Sequence, residues 1–415
     1  MALVDRAVLP SWEHSAARTK QMYRCCGAVS AVAGRGDSAA RGTTFCCLCL
    51  LRQSKSNFPS RSLFHRHSTT MALPSLVHRC SRSMLRPLSL LYGTAVAGRT
   101  WWYDRGWSVR RLPIPVVSVG NITTGGTGKT PMVIALAQML ATSGVRVAVV
   151  SRGYGRKGRG VAVVSDGDRY RAPVVASGDE LAVVAERVPR AIVIAARRRY
   201  DGARVAHERY GAELVLLDDG FQHRQLARTL DIVMVDAATL DPQNAMLPAG
   251  TLREPLSSLQ RAHILCALGV DAAAARQFAA TDARIVEARQ RLVQWNSLHG
   301  ESIETPRGEA IVVCAIARPE RFRALVEQAA SLSVRDMLCW RDHHWYSRRD
   351  VERIIASAQK APVLVTTEKD AVKLRNYAEQ FTRAGCVVAV ARMALEFPPP
   401  DEEWLQSVMV NLRGL

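Results

Sequence analysis

No stretch of 18 or more uninterrupted apolar residues occurs in this 415-residue chain, which excludes a protein that crosses a membrane many times but leaves room for a short surface anchor. Aromatic residues are scarce, at 6%. Those that cluster do so in one short segment and not along a basic sheet, so the chain lacks the marks of a nucleic-acid-binding module. Beyond residue 100 only Cys266, Cys314, Cys339 and Cys386 are found, the usage of a reduced, cytosolic-type protein. Acids are nearly missing from the first hundred positions, where 14 Lys and Arg face Asp5, Glu13 and Asp37. That segment carries +11 of the formal net charge of +19 and leaves +8 for the rest. A body so modestly basic suits an anionic substrate or an anionic membrane surface as well as a nucleic acid.

What is present suffices for a folded body. Apolar residues make up 48% and charged residues 22%, close to the globular average and far from a disordered profile, and the length suggests two or three domains. Residues 1–83 are rich in Arg, Ser and Cys without a sustained apolar period, and read as an extension. The composition is that of a mitochondrial transit peptide, while Met71 and Met84 equally allow a later start. Cys46 and Cys49 make a C-x-x-C, but no second pair at zinc spacing follows and Phe45, Leu48, Leu50 and Leu51 around it are apolar, so no metal is assigned there. In residues 84–111, Leu85, Leu88, Leu90, Leu91, Tyr92 and Val96 precede Trp101, Trp102, Tyr103 and Trp107, set among Arg99, Arg105, Arg110 and Arg111. Tryptophan beside arginine suits a membrane interface, where rings lie at headgroup depth and guanidinium groups meet phosphates; a helix packed on the protein's own core is the alternative.

From residue 112 short β-rich runs alternate with helical stretches. Strands are expected at 115–119, 146–150, 191–195, 213–217, 231–235, 264–268, 310–316, 363–367 and 386–390, and helices at 130–142, 179–187, 201–210, 319–330, 347–358 and 402–412. Continuous apolar strands separated by helices mean βαβ units and an α/β class built on a parallel sheet. A looser stretch near 290–307 marks the expected boundary between a phosphate-loop domain, 112–300, and a smaller C-terminal α/β domain, 301–415.

The strongest chemical signal is Gly120-Asn121-Ile122-Thr123-Thr124-Gly125-Gly126-Thr127-Gly128-Lys129-Thr130-Pro131, between the first strand and a helix. Small residues let backbone N–H groups close around phosphates, and the helix N-terminus adds positive potential. Lys129 can reach the β- and γ-phosphates, and Thr130 can hold Mg²⁺. The strict pattern asks for glycine where Thr123 stands, and Gly125, Gly126 and Gly128 supply the freedom instead. A second signal, Leu214-Val215-Leu216-Leu217-Asp218-Asp219-Gly220, describes a buried strand delivering carboxylates to the sheet edge where ligands bind. Such an aspartate serves Mg²⁺ in phosphoryl transfer; a strand-terminating turn with Asp as a helix cap is the plainer reading. Asp179 before a helix, Ser151 to Arg156 after the second strand, Arg253-Glu254 and Asp342-His343-His344 are individually weak. Guanine specificity is disfavoured, because Thr367-Glu368-Lys369-Asp370 places its lysine one position late for [NT]-K-x-D and Leu217 stands where D-x-x-G needs an acid. ATP is the expected nucleotide.

Taken in order, these segments resemble the tetraacyldisaccharide 4'-kinase family, the lipid A 4'-kinases. The likeness runs from about residue 84 to the C-terminus through Pro115 to Pro131, Ser151-Arg152-Gly153-Tyr154-Gly155, Gly178-Asp179-Glu180, Asp218 to His223, Leu247-Pro248-Ala249-Gly250, Leu252 to Pro255, Ala317 to Phe322, Asp342-His343-His344 and Thr366 to Val372. The resemblance implies transfer of the ATP γ-phosphate to the 4'-hydroxyl of an acylated glucosamine disaccharide 1-phosphate, giving lipid IVA. It implies ATP and Mg²⁺, with Asn121, Thr124, Gly125, Gly126, Thr127, Gly128, Lys129 and Thr130 around the nucleotide. Thr130, Asp218, Asp219 and Glu254 would serve the metal. Asp179 would act as base paired with His343, alongside Lys129, and Arg253, His223 and Glu180 would face substrate or phosphate. It also implies a membrane-associating N-terminal segment and a lipid that stays in the bilayer, at the cytoplasmic face of a bacterial inner membrane, or in a mitochondrion if the extension is a transit peptide. No nucleic acid and no obligatory protein partner are expected. A phosphate-loop ATPase driving assembly or metal insertion is the alternative.

Overall fold

A computed structural model describes residues 73–412 except 157, 330, 331 and 362. Most of the expected 1–83 extension, with Met71, Cys46 and Cys49, therefore lies outside the described residues. The fold is α/β. Thirteen strands form one mostly parallel sheet: β1 (Val116–Gly120), β2 (Val147–Ser151), β3 (Val161–Asp166), β4 (Ile192–Ala196), β5 (Leu214–Asp218), β6 (Leu230–Val235), β7 (Ile264–Leu268), β8 (Arg284–Asn296), β9 (Ser302–Ile303), β10 (Gly308–Cys314), β11 (Leu332–Cys339), β12 (Val363–Thr367) and β13 (Val387–Glu396). Their order is β11-β10-β12-β13-β8-β7-β6-β1-β5-β2-β4-β3, with β9 paired to β8. β1, β2, β4, β5, β6 and β7 are buried along their whole length, as central parallel strands covered on both faces must be.

The helices are α1 (Leu73–Asp104), α2 (Lys129–Thr142), α3 (Val174–Ser177), α4 (Asp179–Arg187), α5 (Arg199–Tyr210), α6 (Ala237–Leu240), α7 (Ala272–Arg276), α8 (Pro319–Ala329), α9 (Arg348–Ser357), α10 (Glu368–Leu374), α11 (Ala378–Arg383) and α12 (Pro399–Asn411). On one face of the sheet Leu136 and Leu140 of α2, Leu181 and Val184 of α4 and Leu405 and Met409 of α12 share a core with Val117, Val149 and Leu216. On the other, Ala203 and Ala206 of α5 pack on Val150, Ile194 and Val215. Burial of this apolar surface is the main term holding the layers together.

The expected loose stretch at 290–307 is in its first half a strand. β8 runs 13 residues, pairing parallel with β7 through Arg284–Ala288 and then antiparallel with β13 through Arg289–Asn296. It was unreadable as a strand because Arg289, Arg291 and Val293 are exposed between half-buried neighbours. The sheet therefore does not break near residue 300; that position lies in the turn between β8 and β9. β11 and β3 also went unrecognised; both lie at edges of the sheet, and β11 has exposed positions among its buried ones. The N-terminal segment is helical from Leu73, with Pro87 inside it. Among the described residues no helix is long and apolar enough to cross a membrane.

Candidate active site

β1 ends at Gly120 and α2 begins at Lys129, and the loop between them is fixed from three sides. Asn121 is buried and donates through Nδ2 to Thr127 Oγ1 at 2.7 Å and Thr123 Oγ1 at 3.2 Å. The Thr124 amide donates to Thr251 O at 2.8 Å, and Gln222 Nε2 donates to Asn121 O at 2.8 Å. Gly128, which caps α2, has φ 77°, and a Cβ there would lie 2.8 Å from Leu268; only glycine meets both demands. The loop presents the amides at the head of α2 with Lys129 and Thr130, the arrangement that binds phosphate.

β5 delivers the paired carboxylates beside this loop. Asp218 is fully buried and accepts from Thr130 Oγ1 at 3.3 Å. Burial, then the charges of Glu180 and Asp219, push its carboxyl up to about 7. Asp219, one residue on, has φ 53° and turns its side chain to Lys129 at 3.6 Å and to Arg253 Nη1 at 3.0 Å. Burial would raise Asp219, but Lys129 and Arg253 outweigh it and hold the carboxyl below its usual range. The neighbours differ because Asp218 sits at the end of β5 with no cation in contact among the described residues, whereas Asp219 is neutralised by two.

The other carboxylate is at the start of α4. Gly178 takes φ 86°, and a Cβ there would meet Tyr154 O at 2.8 Å; this close approach sets Asp179 at the helix N-terminus beside the loop that follows β2. His343 lies in the turn after β11, with φ 61° and its amide donating to Ala315 O at 3.2 Å. Its Nδ1 is 2.9 Å from Asp179 Oδ1 and 3.0 Å from Oδ2. Asp179 is 4% exposed. Burial would raise its carboxyl, but the hydrogen bond with His343 and the charges of Lys369, His343 and Lys373 hold it well below the carboxylate range. Burial would likewise lower His343, yet Asp179 prevails and raises it above the ordinary imidazole value. Each thus favours the charged form of the other. Tyr154 lies over the imidazole, ring centroids 4.8 Å apart.

Lys369 pairs with Glu180, and Glu180 in turn acts on Asp218, so the aspartate–histidine pair and the metal-type carboxylate belong to one electrostatic site. Arg253 is in it through Asp219. His223 is half-buried among Arg199, Arg228, Arg99 and Arg152, and burial followed by these charges lowers its imidazole to about 4, so it is neutral at pH 7. Glu254 is buried, and its carboxylate accepts from Arg261 Nη2 at 2.7 Å. Asp342 Oδ1 is 3.8 Å from His343 Nε2, whereas His344 turns away to Asp350 at 3.0 Å. Sequence reasoning missed Lys369, Lys373 and Arg199. The first two are i,i+4 in Glu368-Lys369-Asp370-Ala371-Val372-Lys373, a spacing that puts both ammonium groups on one helical face. Arg199 is buried, with Nη2 3.4 Å from Asp219 O.

This geometry agrees with what the chain resembles in sequence and structure. The sequence pattern of the family described as tetraacyldisaccharide-1-P 4'-kinase matches residues 81–410. A tetraacyldisaccharide 4'-kinase of Chlorobaculum parvum is 40% identical over 348 residues, covering 80% of this chain and 96% of the relative. That of Chlorobaculum tepidum is 38% identical over 342 residues, covering 79% and 96%. A crystal structure of LpxK from Aquifex aeolicus in complex with ATP superposes with a TM-score of 0.65 at 29% identity, covering 80% of this chain and 99% of that one. The chain belongs to the tetraacyldisaccharide-1-P 4'-kinase family.

Proposed function

We propose that the protein transfers the γ-phosphoryl group of ATP to the 4'-hydroxyl of a tetraacyldisaccharide 1-phosphate. The observation that carries this reading is the Asp179–His343 pair, 2.9 Å apart, in one electrostatic site with a phosphate loop. An alcohol acceptor must lose a proton as it attacks, and a carboxylate–imidazole pair held in one geometry is suited to take it. An attacking water would need the same service, and it is the family to which the chain belongs that favours the alcohol.

Each residue then has a task. The amides of residues 125–130 and the Lys129 ammonium bind the β- and γ-phosphates. Arg253, already drawn to this end of the sheet by Asp219, adds positive charge where the transferring group collects negative charge. Asp218 and the Thr130 hydroxyl fit a magnesium ion: hard oxygen donors, one a buried carboxylate pushed up to about 7 with no cation against it among the described residues. Magnesium, when bound there, supplies neutralisation of the phosphate charge. Asp179 orients His343, and the pair receives the hydroxyl proton. Glu254, bound to Arg261, supports the loop that carries Arg253.

We assign the lipid surface to α1 and the turn that follows it. Met84, Leu88, Leu90, Leu91, Trp101, Trp102 and Trp107 are exposed, and Arg105 lies 3.6 Å over the Trp101 ring. The opposite side of the helix is tied to the site: Ser89 donates to Met246 O at 3.0 Å and Tyr92 to Arg253 O at 3.0 Å, and Arg99 donates to Gln222 O. A helix that rests on lipid and bonds to the Arg253 loop would hold the reacting hydroxyl at the depth of the phosphates.

The test is transfer of ³²P from γ-labelled ATP to a tetraacyldisaccharide 1-phosphate by the full chain with Mg²⁺ and detergent. Labelled lipid is the expected product. Labelled free phosphate with unmodified lipid, from folded protein, would sink the proposal in favour of an ATPase.

A further inference from the structure

α10 brings a second lysine to Asp179 from the far half of the chain. Lys373 is 1% exposed, and its Nζ lies 3.3 Å from Asp179 Oδ2 and 3.1 Å from Asp370 Oδ1. Asp370 is itself buried, accepting through Oδ2 from the Ala315 amide at 3.0 Å and from Thr367 Oγ1 at 2.7 Å. Ala315 returns the connection, since its carbonyl accepts the His343 amide. A closed circuit results: Ala315 to Asp370, to Lys373, to Asp179, to His343 and back to Ala315. Every member is fixed by its neighbours, and Ala315 directly follows β10, which is buried from Ala310 to Cys314.

We infer that Lys373 is a positioning residue for proton removal, holding the Asp179 carboxylate ionised and aimed at the His343 ring. The inference rests on the kinase reading above and deepens it. Lysine is seldom so buried, and here its ammonium stands between two buried carboxylates and is in reach of both. The charged or titratable groups around Asp179 are Glu180 from its own helix, Lys369, Asp370 and Lys373 from α10, and Asp342 and His343 from the turn after β11. Tyr154 comes from the loop after β2, and Asp218, further off, stands at the end of β5. Of the cations, Lys369 is already matched by Glu180; Lys373 is shared by Asp179 and Asp370.

Lys373→Met removes the charge and keeps most of the volume. With no cation between the two aspartates, the Asp179–His343 pair gains affinity for a proton. The acidic limb of kcat against pH should then move about one unit or more towards higher pH. kcat at pH 7 should fall at least about tenfold while KM for ATP changes less than about threefold, whereas Lys373→Arg, which retains the charge, should leave the limb in place. A limb that does not move in folded Lys373→Met protein overturns the inference, as does a limb displaced equally by Arg. If Met does not fold, Lys373→Gln is read the same way; if neither uncharged variant folds, the lysine is structural and the inference fails. Titration of the His343 ring by NMR reads the same displacement without turnover. Wild-type protein that labels no lipid while its His343 titration still responds to Lys373 would overturn the kinase reading alone.

Discussion

At the residue scale, the site depends on two side chains placed by unusual backbone. Asp219 and His343 both occupy the left-handed region, at φ 53° and 61°, uncommon for residues other than glycine and a conformation that persists where surroundings enforce it. Each bends the chain just past a strand and turns the side chain into the site. Asp179→Ala should reduce lipid phosphorylation by about 10² to 10⁴ and leave ATP binding nearly intact, as measured by calorimetry; loss of ATP affinity would make Asp179 a nucleotide ligand instead. Because Asp179 raises the imidazole above its usual value, the pair regains a proton vacancy only as pH rises through that raised value. The acidic limb of kcat is therefore expected above pH 6.5, and Asp179→Asn, which leaves burial as the main influence, should bring it below 6.5. Asp218→Asn should raise the magnesium concentration needed for half-maximal rate about tenfold or more with a smaller effect on KM for ATP.

At the scale of elements, α4 and α10 meet through ion pairs along their length. Besides Asp179–Lys373 and Glu180–Lys369, Arg187 reaches Glu368 at 3.0 Å and Met393 O at 2.9 Å, and Glu186 pairs with Arg375 just beyond α10. Arg187 is nearly buried, so Arg187→Met leaves Glu368 short of its partner and should cost about 3 kcal/mol, read as a lower midpoint in urea. The bounds of α4, β7 and β12 were legible from sequence because their apolar runs and acidic helix starts are local signals. The α4–α10 contact was not, since its partners are 181 to 194 residues apart and nothing in either segment names the other. Edge strand β11 was hidden for a related reason: exposed Ser333, Arg335 and Asp336 stand among its buried apolar residues, and only its place in the sheet explains them. For α1 and the turn after it, Trp101, Trp102 and Trp107 together changed to Ser should abolish co-flotation with anionic vesicles while shifting Tm by no more than a few degrees. Exposed substitutions seldom cost much stability.

At the scale of the whole molecule, the chain makes one sheet from two stretches of sequence, and the join is unusual in its timing. β8 lies at the end of the first stretch, and β13, the last strand, fills the gap between it and β12. Leu395, Phe397 and then Leu405 and Met409 of α12 return to the core under α2 and α4. Unfolding should accordingly be a single cooperative transition, with calorimetric and van't Hoff enthalpies in agreement; two resolved transitions would mean that the halves melt apart. Removal of residues 387–412 should yield a chain that fails to hold Asp179 near His343, visible as loss of transfer together with early proteolysis between β8 and β10. The phosphate loop, Asp179 and Asp218 were legible in sequence because each is a short local pattern, whereas the closure by β13 is a property of topology. During synthesis this gives the enzyme a built-in order. The phosphate loop leaves the ribosome more than two hundred residues ahead of His343, and the strand that brings the two halves into register comes almost last. A nascent chain made as far as β7 has the loop together with Gln222 and Thr251, which fix it, but lacks the means to deprotonate an acceptor, and competence arrives only once His343 and then β13 have been made.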